Sequence, residues 1–168
     1  MNYLVKKRHW LLAGWIAFVF LQSLFFKFAG APETRYIFGI LGHWSGLAWF
    51  GEYGAWLVGI AELIASLLLF SPRWPWGALL ALGIMSGAIF FHLFTPLGIF
   101  MPVFDESGMA TDTTDGGLLF IMACMTWASA LVLVLTDWLK PNGQLRRALP
   151  LGERRETNAK QERSDHTS

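Results

Sequence analysis

The chain is 168 residues long, 54% hydrophobic and only 15% charged, with a mean hydropathy of +0.44, which sets it apart from ordinary soluble domains. Thirteen Lys and Arg against twelve Asp and Glu leave a net charge of +1, so the charge excess that drives nucleic-acid binding is absent. One cysteine, Cys124, excludes an internal disulfide, a CxxC redox pair and a cysteine-built metal site.

A charged side chain at the centre of a bilayer helix costs about 3 kcal/mol, so long stretches nearly free of charge mark candidate spans. Four such stretches occur, at about 10–28, 53–70, 76–94 and 117–136. Each is near the ~20 residues that cover a ~30 Å hydrocarbon core at 1.5 Å per residue. Backbone amides have no water to pair with in that core, so these segments must be helices. The fold class is therefore all-α, a four-helix transmembrane bundle over residues 1–140, followed by a tail at 141–168. That tail is expected to be disordered from about residue 152, where GERRETNAKQERSDHTS shows no apolar periodicity.

The first stretch follows Lys6, Lys7, Arg8 and His9 and precedes Ala29-Gly30-Ala31, as a secretory signal would. Pro32 after the site, with Lys27 and three phenylalanines before it, makes poor cleavage context, and an uncleaved anchor fits better. Next, PETRYIFGILGHW reads as a short amphipathic interfacial helix on the outer surface between helices 1 and 2, begun by Pro32 and stopped near Gly42. SPRWP is so short that the second and third spans must form an antiparallel hairpin. The loop at 95–116, with Pro96 and Pro102, reads as irregular, folding partly back over the bundle.

With the connections assigned alternately to two sides, 11 of the 13 basic residues fall on the side of both termini, and only Lys27 and Arg35 on the other. Asp105, Glu106, Asp112 and Asp115 fall on that other side. The positive-inside rule then makes both termini cytoplasmic. Trp10, Trp74, Trp76 and Trp138 mark the inner boundary, and Trp44, Trp49 and Trp56 the outer one.

Ionisable residues inside spans are functional candidates because lipid does not tolerate them. Glu62 is the sharpest, nine residues beyond Tyr53 and so ~13 Å below the outer boundary. Val58, Gly59, Ala65 and Ser66 share its helix face, a small-residue stripe that admits a second helix or a ligand. At that depth the carboxyl must be neutral, lie beside a cation, or serve as a purely structural hydrogen-bonding group. His92, near the end of the third span, lies in the same outer half and suits proton transfer or hydrogen bonding to a carbonyl, or a structural role. Lys27 either snorkels to the headgroups or faces inward, with Gln22 a turn and a half deeper, to pair with Glu62 or an anionic ligand oxygen. Asp115 opens the fourth span in TTDGGLLF, as an N-cap or as a site residue. Gly83 and Gly87 form a GxxxG packing motif in the third span. Glu62, His92, Lys27, Gln22 and Asp115 are thus the candidate ligand-binding residues. No metal site is expected, and a bis-histidine haem, with only His43 to serve as second ligand, is set aside.

Three passages together resemble the DoxX family of small bacterial integral membrane proteins: FKFAGAPETRYIFGILG, GIAELIASLLLFSPRWPWGALLALGIMSGAIFFHL and DGGLLFIMA. Gly59, Glu62 and Pro72-Arg73 match the family's glycine, its glutamate three residues on, and its proline-arginine hairpin. The resemblance implies a multi-pass protein of the bacterial inner membrane related to small subunits of quinone-linked oxidoreductases, and it carries over Lys27, Glu62 and His92 as matching polar positions.

Three functions follow as expectations. The first is an accessory subunit that binds a quinone or similar lipophilic molecule, non-covalently, beside a redox-enzyme partner; 14 Phe and 9 Trp are available to wall its ring. The second is a proton-coupled small-molecule transporter using Glu62, and the third a non-catalytic membrane scaffold. Partners are the lipid bilayer and a redox subunit, with no nucleic acid; whether the chain is an enzyme is left open.

Overall fold

The computed structural model describes residues 3–148, and the tail segment beyond residue 152 lies outside them. In chain order the elements are α1 (Tyr3–Phe28), α2 (Pro32–Ser45), α3 (Ala48–Leu69), α4 (Trp74–Phe94), β1 (Pro102–Phe104), β2 (Ala110–Thr114), α5 (Leu118–Trp138) and α6 (Gln144–Ala148). Four stretches, Lys7–Phe28 of α1 and the whole of α3, α4 and α5, are long and apolar enough to cross a bilayer. The protein is an integral membrane protein with an all-α four-helix bundle.

The bundle closes as a ring in which α1 packs on α3 and α5, α3 on α4, and α4 on α5. Its core is built largely of small side chains, Ala13, Ala65, Ala78, Ala81, Ala123 and Ala130, with Ile16, Phe20, Leu69, Met85 and Leu133 between them. Lipid removes the hydrophobic drive for helices to associate, so close backbone approach and dispersion contacts hold such a core together. Large apolar side chains such as Leu11, Phe18, Phe25, Leu67 and Phe94 point outward, where hydrocarbon meets them.

Close approach is most marked at the α3–α4 hairpin. A Cβ added to Gly77 would lie 2.8 Å from Leu69 N and 2.9 Å from Ala65 O, backbone atoms that cannot move aside. Gly83 and Gly87, the GxxxG pair of the sequence, face open space instead. The packing glycine of α4 is therefore Gly77, one turn from the hairpin.

The helix read as lying on the outer surface packs lengthwise on α3. Phe38 meets Gly54 and Gly42 meets Gly51, so α2 climbs as the first turns of α3 descend. This pairing extends α3 back to Ala48 rather than to 53, and Gly46, with φ of 69°, ends α2 in the left-handed conformation that only glycine adopts freely.

The loop read as irregular contains an antiparallel β-hairpin, with Phe104 opposite Ala110. Asp105 turns it, accepting hydrogen bonds through Oδ1 from Ser107 N, Ser107 Oγ and Met109 N. The hairpin folds back over α2, with Tyr36 edge-on to Phe104 at 5.6 Å and Gly108 against Pro32. At the opposite end of the bundle, α6 is the last described element: Leu145 is buried, its amide donates to Asp137 Oδ2 at 2.9 Å, and Gln144 Nε2 donates to Pro72 O at 2.8 Å.

Candidate functional site

Lys27 is the penultimate residue of α1, where a cation is favoured by the carbonyl end of the helix. Side chains on a helix lean toward its N-terminus, so Lys27 reaches back into the bundle instead of away from it. Ser23, four residues earlier, lies beneath it on the same face, and the ammonium and the Ser23 hydroxyl are hydrogen-bonded.

Opposite them stands Glu62, fourteen residues into α3 and seven from its end, which is ~21 Å and ~10 Å along the helix axis. Lys27 Nζ donates to both carboxylate oxygens, at 2.9 Å to Oε1 and 2.8 Å to Oε2. Ser23 Oγ lies 3.4 and 3.2 Å from the same oxygens. Glu62 is 3% exposed, and the lysine side chain 13%. Three polar groups from two helices thus form one neutral cluster within the membrane layer.

Gly59 faces α1 beside the pair. A Cβ there would stand 2.9 Å from a ring carbon of Phe28 and 3.2 Å from Leu24, so a larger residue would have to displace those two side chains. Phe28 also stacks on Trp56, with centroids 4.7 Å apart and planes at 20°. Phe28, Trp56 and Phe25 are exposed, which places an aromatic surface beside Lys27 on the lipid-facing seam between α1 and α3. Ser66 serves the helix itself, donating to Glu62 O at 2.8 Å.

Of the five residues singled out in the sequence, Lys27 and Glu62 meet and three do not join them. Gln22 is exposed; five residues from Lys27 is about 140° around a helix, whereas the four to Ser23 are about 40°. Ser23 is therefore the group that the sequence reading missed, signalled by its i,i+4 spacing to the lysine. His92 turns into the loop beyond α4, where its Nδ1 lies 2.6 Å from Gly98 O and its ring meets Phe120 edge-on at 5.7 Å. With the carbonyl as acceptor, Nδ1 carries the proton and donates.

Asp115 is likewise taken up by the loop. Gly117, with φ of 81°, occupies the N-cap position of α5, and the Asp115 carboxylate sits two residues earlier, accepting from Met101 N and Gly117 N at 2.9 Å and from Leu119 N at 3.1 Å. Burial pushes this carboxyl up, but the backbone donors outweigh it and hold it below the usual aspartate range. Met101 completes the knot, 1% exposed and accepting at its carbonyl from Asp115 N at 2.8 Å. His92 and Asp115 therefore anchor the outer loop to the bundle.

Two surface hollows lie away from the ion pair, one on the outward face of α4 around Trp76, Leu80 and Gly83, the other at the α2–α3 turn around Gly42, His43 and Gly46. Among the described residues no group of three His, Cys, Asp or Glu stands close enough to hold a metal ion. Searches against protein-family models, curated proteins and solved structures return no match.

Proposed function

We propose that the chain is a DoxX-like accessory subunit of a membrane redox system, in which the Lys27–Ser23–Glu62 cluster receives the polar head of a lipophilic molecule, a quinone by preference. The observation that carries this reading is an ion pair held within the membrane layer at the edge of the seam between α1 and α3, since ionisable groups at such depth are retained for use. A quinone carbonyl accepts hydrogen bonds, which the ammonium of Lys27 and the hydroxyl of Ser23 supply by turning from Glu62, and its flat ring matches the exposed Phe28–Trp56 stack beside them. Entry is lateral, from the lipid. In this reading the chain holds and orients the ligand while a partner subunit carries the redox centre, and the basic end of the bundle faces the cytoplasm of a bacterial cell.

The same geometry favours a second reading. Both oxygens of Glu62 accept from Lys27 and the lysine also engages Ser23, so the cluster is complete without a ligand and serves as a clasp between α1 and α3 in a membrane scaffold. It tells against Glu62 as a freely exchanging proton carrier, because the lysine occupies the carboxylate. Titration of the detergent-solubilised protein with a short-chain quinone, followed by tryptophan fluorescence, separates the two. Saturable quenching that is weakened at least tenfold by Lys27→Met supports the accessory subunit; quenching that is linear and indifferent to the substitution supports the clasp.

A further inference from the structure

Among the described residues, the end of the bundle that carries α6 is basic on its surface, and the acid beside α6, Asp137, is hidden. Lys7, Arg8, Arg73, Arg146 and Arg147 are exposed and Lys140 is half-buried, whereas Asp137 is 4% exposed and engaged by the Leu145 amide. Among the described residues none of these cations takes part in a salt bridge. Their charges are brought together by tertiary structure as well as by sequence: Gln144 ties α6 to the α3–α4 turn that bears Arg73, and Lys140 Nζ lies 4.9 Å over the ring of Trp74.

The level of this rim in the membrane is marked by aromatic rings. Trp74 also meets His9 edge-on at 4.6 Å, and Trp10 stacks on Phe70 at 5.8 Å. Tryptophan settles at the boundary between hydrocarbon and headgroups, so the neighbouring cations stand at phosphate height. Leu139, 76% exposed beside Lys140, offers an apolar contact just below. A group of cations without a salt-bridge partner among the described residues, above lipid-facing apolar side chains, is complementary to a phosphate joined to acyl chains.

We propose that the α6 end of the bundle selectively binds anionic phospholipid, with Arg73, Lys140, Arg146 and Arg147 receiving the headgroups and α6 lying at the membrane surface. This is independent of the Lys27–Glu62 cluster, which belongs to a different depth and a different pair of helices. Anionic lipid in this leaflet then fixes the height at which the bundle sits and the position of α6 over the α3–α4 turn.

The test uses the full chain in nanodiscs containing equal phosphatidylglycerol and phosphatidylcholine, with the lipids retained on release counted by native mass spectrometry. Phosphatidylglycerol should be retained several-fold over phosphatidylcholine, and Arg73→Gln/Arg146→Gln/Arg147→Gln should bring the two to near-equal retention. Arg35→Gln, at the other end, should leave it unchanged. The substituted arginines are exposed, and equal thermal unfolding of the variant in detergent checks that the fold survives; if the triple variant does not fold, Arg73→Gln alone should still lower retention. Equal retention of the two lipids by the unsubstituted protein, an unchanged preference in the variants, or full displacement of the lipid by millimolar inorganic phosphate would overturn the proposal.

Discussion

Lys27 and Glu62, 35 positions apart in the chain, form one bidentate ion pair: one ammonium spans both oxygens of one carboxylate, at 2.9 and 2.8 Å. The two removals are unequal, because only Glu62 has no way to reach water. Lys27→Met leaves a carboxylate that is 3% exposed, and the fold should lose about 3–5 kcal/mol, as for other buried pairs broken on one side. Glu62→Gln should cost less, because the partly exposed lysine can swing to the headgroups. The double variant Lys27→Met/Glu62→Leu should be more stable than Lys27→Met alone. Unfolding in mixed micelles gives the three values, and simple additivity would mean that the two side chains do not interact.

Gly42 and Gly51 set the second prediction. A Cβ on Gly42 would stand 2.7 Å from the Gly51 Cα, backbone against backbone, so Gly42→Ala should part α2 from α3 and destabilise the protein by about 1–3 kcal/mol. Gly39→Ala, on the same helix with open space around it, should be neutral or slightly stabilising. Thermal unfolding in detergent distinguishes them; equal effects would place α2 elsewhere.

A pH dependence is expected in the outer loop. Asp115 is held below its ordinary range in the folded protein, so its contribution is present above the unfolded value near 3.9 and is lost as pH falls through the lower, folded one. Intrinsic-rate-corrected amide protection at Met101, Gly117 and Leu119 should therefore decline together below about pH 4, while protection in the core of α5 is kept. Asp115→Ala should show the low protection at all pH values. Protection in the loop that persists unchanged down to about pH 2 would contradict this role for Asp115.

Orientation is tested at the hairpin tip. Gly108, with φ of 79° and exposed, can carry a fused reporter without entering the bundle. The distribution of basic residues predicts that a reporter active only outside the cytoplasm works there, and that one requiring the cytoplasm does not. The reverse pattern would invert the molecule.

The four spans were legible because hydrocarbon imposes one simple demand, a charge-free run of about 20 residues, on the sequence. What that demand leaves unstated was harder to read. The first turn of α3 carries Gly51 and Glu52, which look like a loop until the glycines are seen to admit α2. The arms of the β-hairpin, PVF and ATDTT, are only three and five residues long, too short for periodicity, although the Asp105-Glu106-Ser107-Gly108 turn between them was a usable sign. At the site, charge alone pointed to Glu62 and Lys27, but which neighbour shares their face depends on counting turns: Ser23 does and Gln22 does not. His92 was placed with Glu62 by depth, a coordinate blind to the direction in which a side chain points, and its ring is turned to Gly98 O.

The central claim, that the Lys27–Ser23–Glu62 cluster holds the head of a lipophilic redox molecule, meets its most direct test in what the protein carries out of the membrane. Mild-detergent purification, lipid extraction and quantitative mass spectrometry should find quinone at near one per chain in the unsubstituted protein and at least tenfold less in Lys27→Met and Ser23→Ala, with Gln22→Ala unaffected. Quinone at the level of an unrelated membrane protein purified in parallel, or equal amounts in all four proteins, would contradict it.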